Sequence, residues 1–255
     1  MTTTAPALAA RRVPMDPARK TALTAGILYL ITFAASIPAV LLLAPVLNNP
    51  HYIVSPGTDT RVLLACLLDV INALACIGTA VTLFPVVKRQ NEPLALGFVT
   101  SRVIEATIIM IGVVSLLAVV SLRQDIGAAG AHADSLVTTG RALVAVRDWT
   151  FLLGPSLMPA VNALLLGTLM YRSGLVPRII PTIGLIGAPV LLSSTIATMF
   201  GINDKVSAWT AIATLLVGGW ELSLGLWMVG KGFKPSPIIA AANTTNTEQA
   251  PVPVG

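Results

Sequence analysis

Six polar side chains interrupt long apolar stretches of this sequence, where a charged or amide group is costly to bury in lipid. They are three acids, one arginine and two amides: Asp69, Asn72, Arg102, Glu105, Asn162 and Glu221. Asp69 and Asn72 are three residues apart, as are Arg102 and Glu105, so each pair shares one face of a helix. A buried acid that can exchange a proton is what proton coupling or general acid catalysis needs. These six residues are therefore the candidates for a functional pocket.

The charges of these candidates do not balance. If all three acids ionise, Arg102 leaves a deficit of two positive charges. Burial and neighbouring negative charge both favour the neutral form of a carboxyl group. We therefore expect at least one of Asp69, Glu105 and Glu221 to be protonated at neutral pH.

The depth of the six residues indicates one shared site. At about 1.5 Å of rise per residue, four of them fall about 15–20 Å into their stretches, near the middle of a bilayer: Asn72, Glu105, Asn162 and Glu221. Packing the polar faces together predicts a pocket between the second, third, fourth and sixth stretches. In a second interpretation, Arg102 and Glu105 form an ion pair that only fixes packing, or Arg102 extends to the inner interface.

The composition explains why these stretches are read as membrane spans. Of 255 residues, 55% are hydrophobic and 11% are charged, whereas a soluble domain carries about 25% charged residues. This excludes an ordinary soluble enzyme, a disordered chain and a nucleic-acid binder. A helix of about 20 apolar residues crosses the bilayer core, and six stretches qualify: Thr21–Leu47, Val62–Val87, Leu94–Leu122, Trp149–Tyr171, Ile179–Phe200 and Trp209–Gly230.

The basic residues predict how the chain is threaded. With a cytoplasmic N-terminus, ten Lys and Arg residues lie on the inner side and five, including Arg147, lie on the outer side. This asymmetry favours both termini inside. The predicted fold is an all-α bundle of six transmembrane helices over residues 18–233. Residues 1–17 and 234–255 are predicted to be disordered cytoplasmic tails.

The fourth stretch carries two further features. The segment before it, from Asp134, is either an interfacial helix or an outward extension of the fourth helix, and we favour the extension. Gly154-Pro155 interrupts the stretch, and other stretches contain similar helix breakers. In transporters, interrupted helices expose backbone groups at a binding site. Proline and glycine are also common in membrane helices in general, where they only kink the helix for packing. Three plus three spans of opposite orientation, with Glu105 and Glu221 each in a third span, allow an inverted repeat.

The remaining chemistry-bearing residues predict no metal or cofactor site. His51 and His132 are isolated in predicted outer loops. Cys66 and Cys76 are ten residues apart in one stretch, too far for a disulfide within a helix, and we expect them to be small apolar fillers. The sequence contains no nucleotide-binding, zinc-protease or nucleophile-elbow motif.

Three long blocks carry a family resemblance. They are RKTALTAGILYLITFAASIPAVLL at Arg19–Leu42, the block Asp59–Ala106, and RDWTFLLGPSLMPAVNALLLGTLMYRSGLVPR at Arg147–Arg178. With them the chain, from Ala18 to Phe233, resembles the bacterial integral-membrane family known as domain of unknown function 4386. The resemblance implies a bacterial multi-pass membrane protein and brings no reaction or catalytic residue. This chain has Asp69 where the family pattern leads us to expect Glu.

Three functional hypotheses remain open. The first is a small transporter of the cytoplasmic membrane, whose acidic pocket holds a proton or a small polar or cationic ligand. The second is an intramembrane enzyme that uses a buried carboxyl group as a general acid on a lipophilic substrate. The third is a non-catalytic accessory membrane subunit. The partner expected in every case is the lipid bilayer, and the sequence leaves the oligomeric state open.

Overall fold

The computed structural model describes residues 15–55, 57–124, 133–237 and 239–240, and within these ranges the chain is helical, with no strand. The α-helices are α1 Pro17–Asn48, α2 Thr60–Val87, α3 Glu92–Gln124, α4 Ala133–Phe151, α5 Met158–Ser173, α6 Ile179–Met199 and α7 Ala208–Gly230. A short 3-10 helix, Tyr52–Val54, lies between α1 and α2. The chain is an all-α protein, as the sequence predicts.

Six helical segments of the described chain are long and apolar enough to cross a membrane. Five of them match the predicted stretches to within a few residues. The fourth is longer than predicted, because α4 continues through a π-helical segment, Leu152–Leu157, into α5. Together these form one helix of 40 residues, Asp134–Ser173. The expected outward extension of the fourth span is therefore confirmed, and the protein is a multi-pass membrane protein.

The spans alternate in direction, which gives the bundle two ends. We call the end that holds the start of α1 the proximal face; it also holds the connections from α2 to α3 and from α5 to α6. The opposite end, the distal face, holds the connections from α1 to α2 and from α6 to α7, and the start of α4. The predicted orientation assigns the proximal face to the cytoplasm.

Local sequence signals fix several helix ends. Pro17 opens α1, where a missing backbone N–H costs nothing. The hydroxyl of Ser207 accepts a hydrogen bond of 3.0 Å from the backbone N–H of Thr210 and caps α7. Gly174 ends α5 with a φ of 66°, a left-handed conformation that glycine adopts without strain.

Glycines bring α1 and α7 into close contact. A methyl group on Gly26 would lie 2.8 Å from the carbonyl oxygen of Gly225, so only glycine fits this crossing. On the same end of the bundle, the guanidinium of Arg19 donates to the carbonyls of Met228 and Val229 over 2.7 and 2.6 Å. These contacts hold the start of α1 against the end of α7 and position the side chains between them.

Buried apolar residues form two cores. One contains Tyr29, Phe98 and Trp220 and runs through α5, α6 and α7. The other lies between the distal parts of α1, α2 and α3 and contains Leu43 and Leu116. On α3, Phe98 belongs to the first core and Ala106 to the second, so the polar residues between them lie where the cores meet.

Much of the predicted tails lies outside the described residues, namely 1–14 and 241–255. The described start of the C-terminal tail packs on the proximal face. The backbone N–H of Lys234 donates to the Leu175 carbonyl over 2.8 Å, and the hydroxyl of Ser236 donates to the Ser173 carbonyl over 2.8 Å.

Candidate functional site

Arg102 joins three helices in the middle of the bundle. Its Nη1 lies 3.1 Å from Oε2 of Glu105 on α3, and its Nη2 lies 2.5 Å from Oε1 of Glu221 on α7. Nη2 also donates to the hydroxyl of Tyr29 on α1 over 3.2 Å. The Arg102 side chain is only 2% exposed. The guanidinium therefore ties α1, α3 and α7 together inside the protein.

Asn162 attaches α5 to the same carboxylate. Its Nδ2 donates to Oε2 of Glu105 over 2.7 Å, and its Oδ1 accepts a hydrogen bond from the hydroxyl of Ser101. Both polar atoms of the amide are thus satisfied, as a buried amide requires. We call these residues and their sulfur neighbour the Arg102 cluster: Tyr29, Cys76, Ser101, Arg102, Glu105, Asn162 and Glu221.

Two aromatic rings and one thiol complete the surroundings of the guanidinium. The centroids of the Tyr29 and Phe98 rings lie 5.2 and 5.8 Å from its Cζ, within cation–π range. Sγ of Cys76 accepts from Nη1 over 3.6 Å. The expectation that Cys76 is an apolar filler was therefore wrong. Tyr29 is not among the six residues predicted from the sequence. The sequence feature that could have identified it is its hydroxyl, a polar group in an otherwise apolar first span.

The cluster holds one positive charge against two carboxyl groups. It carries a net charge of minus one if both Glu105 and Glu221 ionise, and it is neutral if they share one proton. A net charge far from water costs several kcal/mol, so the neutral form with one proton is the form that burial favours. Glu221 is the more accessible acid, with 12% of its side chain exposed against 5% for Glu105.

Asp69 lies apart from this cluster and pairs with a different arginine. Nη2 of Arg147, on α4, lies 2.9 Å from Oδ2 of Asp69, and both side chains are buried. The assignment of Arg147 to an outer loop was wrong, because the fourth span begins well before Trp149. The helical spacing of Leu143, Val144 and Val146 was the signal for that earlier start. With a second buried arginine, the deficit falls from two charges to one.

Asn72 lies on α2 between Asp69, which pairs with Arg147, and Cys76, which contacts Arg102. Its Oδ1 is 3.9 Å from Sγ of Cys76, which donates to it, and the same sulfur accepts from Arg102. Asp69, Asn72 and Cys76 recur at a spacing of three and four residues, so they form one stripe along α2. We call this the α2 polar stripe. The six predicted residues thus form two ion-paired sites connected by this stripe, rather than one pocket.

Both Arg102 and Arg147 have a buried Nε–H group without a partner. Among the described residues, Nε of Arg102 and Nε of Arg147 are buried and form no hydrogen bond. An unpaired buried donor costs about 1–3 kcal/mol. Both sites therefore retain a donor that could bind one water molecule or a ligand atom.

Two cavities lie near the distal face, on either side of α4. The larger, about 220 Å³, lies between α4, the end of α1 and the 3-10 helix. The smaller, about 160 Å³, lies between α4 and the connection from α6 to α7. Neither is lined by a residue of the Arg102 cluster. His51 lies near the larger cavity and is exposed, and His132 lies outside the described residues.

A third arginine fixes the distal loop after α1. Arg123, at the end of α3, forms an ion pair with Asp59 and donates to the carbonyl of Ser55 over 2.6 Å. Its Nη1 also donates to the hydroxyl of Tyr52 over 3.1 Å. Partial burial raises the pKa of Tyr52, and the Arg123 guanidinium opposes that rise.

No group of three or more metal-binding side chains occurs among the described residues.

The comparisons with known proteins identify the family. The profile described as "Domain of unknown function (DUF4386)" matches residues 24–232, most of the chain. The chain belongs to this family. No curated protein and no solved structure matches the chain. The matched DUF4386 region contains all six spans in whole or large part and every residue of the Arg102 cluster. Its description assigns no reaction, so function must be argued from the site.

Proposed function

We propose that the protein is a small transporter that binds one proton at the Arg102 cluster and carries it across the membrane, either alone or together with a small polar or cationic ligand. The observation that carries the proposal is the position of Arg102 between Glu105 and Glu221, two buried or nearly buried acids that come from different helices of the bundle. One guanidinium with two carboxyl groups can alternate between a charge of minus one and zero by exchanging one proton. The α2 polar stripe offers a polar route toward the distal face.

We also propose that the protein lies in the cytoplasmic membrane with both termini inside. Among the described residues, the proximal face carries eight Lys and Arg and two acids: Arg19, Lys20, Lys88, Arg89, Arg172, Arg178, Lys231 and Lys234, with Asp16 and Glu92. The distal face carries four of each: Arg61, Arg123, Arg141 and Lys205, with Asp59, Asp134, Asp148 and Asp204. The entire positive surplus therefore lies on the proximal face, which supports a cytoplasmic assignment.

The transport proposal is tested by proton flux in proteoliposomes. A potassium diffusion potential drives protons into vesicles that contain purified protein and a pH-sensitive dye. We expect the unsubstituted chain to acidify the lumen and both Glu105→Gln and Glu221→Gln to abolish this. Glu92→Gln, an exposed acid at the start of α3, is the matched control and retains the flux. Equal flux in all four proteins, or no flux from the folded unsubstituted chain, contradicts the proposal.

One observation favours the accessory-subunit alternative. The two cavities near the distal face do not reach the Arg102 cluster, and its carboxylates are closely paired, as in an ion pair that only fixes helix packing. A subunit with this role would conduct no protons, yet Arg102→Leu would still unfold it. The flux experiment therefore separates the two functions.

A further inference from the structure

The distal part of the fourth span extends beyond what a membrane crossing requires. Its 40 residues correspond to about 60 Å of helix, whereas the bilayer core is about 30 Å thick. The excess belongs to α4, which carries four charged residues: Asp134, Arg141, Arg147 and Asp148. Much of α4 therefore extends toward the distal face, beyond the length of helix that crosses the bilayer core.

Open clefts flank α4 on both sides. Ala145 and Asp148 line both distal cavities, of about 220 and 160 Å³, so these two residues separate the two clefts. A sideways displacement of α4 would therefore carry it into one of the clefts.

The π-helical segment at the base of α4 can act as its hinge. Leu152–Leu157 contains Gly154 and Pro155, and Pro155 has no N–H to donate to the preceding turn. A methyl group on Gly154 would lie 3.0 Å from Cγ2 of Ile108, so this point of the helix is held close against α3. A π-helical segment with proline is a site where helices bend.

The parts of the span on either side of this hinge are attached to different helices. Beyond the hinge, Arg147 pairs with Asp69 of α2 over 2.9 Å, and Asp148 pairs with Lys205 over 2.7 Å. On the other side, Asn162 binds Glu105 of α3. Breaking the first two contacts would remove both ion pairs of α4 and leave the Arg102 cluster attached, so that only the packing of α4 on α3 and on the 3-10 helix would still hold it.

From this arrangement we infer that α4 is the distal gate of the transporter. It swings about Leu152–Leu157, separates Arg147 from Asp69 and Asp148 from Lys205, and uncovers the distal end of the α2 polar stripe. Asp69 then becomes accessible to water, and Asn72 and Cys76 lead from it to Arg102. This inference rests on the proposed function, since it describes how the same site is reached from one face.

The gate is tested by distance measurements between spin labels on the full chain in lipid nanodiscs. The test pair is Arg61→Cys on α2 with Ser135→Cys on α4, and the reference pair is Arg61→Cys with Ala211→Cys on α7. All three positions are exposed. The native Cys66 and Cys76 are buried, so the chain without added cysteines serves as the labelling blank.

Asp69→Asn removes the charge that holds Arg147. We expect the population with a longer Arg61–Ser135 distance to increase about tenfold or more, with the reference pair unchanged. Should Asp69→Asn not fold, Arg147→Lys replaces it, because a lysine cannot reproduce the planar fork of arginine. Lys205→Gln, which breaks the exposed pair, should increase the same population by a smaller factor, with Asp204→Asn as its matched control.

An unchanged Arg61–Ser135 distribution in the folded variants overturns the inference, and so does an equal change in the reference pair. The readout records helix position and not transport. A protein that conducts no protons but shows the α4 shift therefore contradicts the proposed function alone, and a conducting protein with a fixed α4 contradicts the gate alone.

Discussion

Asn162 and Arg102 bind the same oxygen of Glu105. The amide of Asn162 reaches Oε2 over 2.7 Å and the guanidinium of Arg102 reaches it over 3.1 Å. One oxygen of an α3 side chain therefore receives donors from α5 and from its own helix, while Glu221 of α7 shares the arginine. The carboxylate of Glu105 therefore links α3 directly to α5 and, through Arg102, to α7.

Asn162→Leu should destabilise the protein by about 1–3 kcal/mol, because it leaves the buried carboxyl group of Glu105 with one donor fewer. Denaturant unfolding in micelles, followed by circular dichroism, measures the change. Thr168→Val is the matched control on α5, since the exposed Thr168 hydroxyl bonds only to its own helix. If the two substitutions cost the same, the amide contributes nothing specific.

The Asp69–Arg147 pair predicts a rescue. Asp69→Ala leaves a buried guanidinium without its counter-charge, and we expect a loss of about 3–5 kcal/mol. Adding Arg147→Leu removes the unpaired charge, so the double variant should be more stable than Asp69→Ala alone. The same unfolding assay measures both proteins. Additive losses would mean that the two side chains do not interact in the folded protein.

The crossing of α1 and α7 predicts a contrast between glycines. Gly26→Ala forces a methyl group to within 2.8 Å of the Gly225 carbonyl and of Val229, whereas Gly219→Ala places its methyl group in open space. We expect Gly26→Ala to lower the melting temperature, because α1 and α7 must move apart to accommodate the methyl group. We expect Gly219→Ala to leave the melting temperature within error. The opposite ranking would contradict a close crossing of α1 and α7 at Gly26.

Removing the charge of Arg123 or of Asp59 should shift the pKa of Tyr52 in opposite directions. Burial raises the pKa of Tyr52, Arg123 lowers it and Asp59 raises it. Arg123→Gln should therefore move the tyrosinate absorbance step to higher pH, and Asp59→Asn should move it to lower pH, with Tyr52→Phe identifying the step. Because the pKa of Tyr52 is raised in the folded protein, Tyr52 contributes to the free energy of unfolding below the pKa of the unfolded chain. That contribution is lost as the pH rises through the pKa of the folded protein. Shifts of the same sign in both variants would refute the assignment.

The sequence predicts the spans well because each apolar stretch must satisfy its own backbone in lipid. It also predicts which polar residues are buried, since Arg102, Glu105 and Asn162 have no other reason to interrupt such stretches. It could not assign their partners. Asp69 pairs with Arg147, and not with Arg102, because the helical extension of the fourth span carries Arg147 into the bundle. The sequence favours that extension, but a hydropathy pattern does not record which face of it turns toward α2.

Infrared difference spectroscopy of the protein in nanodiscs tests the central claim most directly, because a protonated carboxyl group absorbs apart from a carboxylate. We predict one protonated carboxyl group at neutral pH in the unsubstituted chain. That band should be lost in Glu221→Gln, where Arg102 and Glu105 form a neutral pair, and retained in Glu92→Gln. A spectrum without the band, or a band that persists in Glu221→Gln, would contradict a proton shared by Glu105 and Glu221.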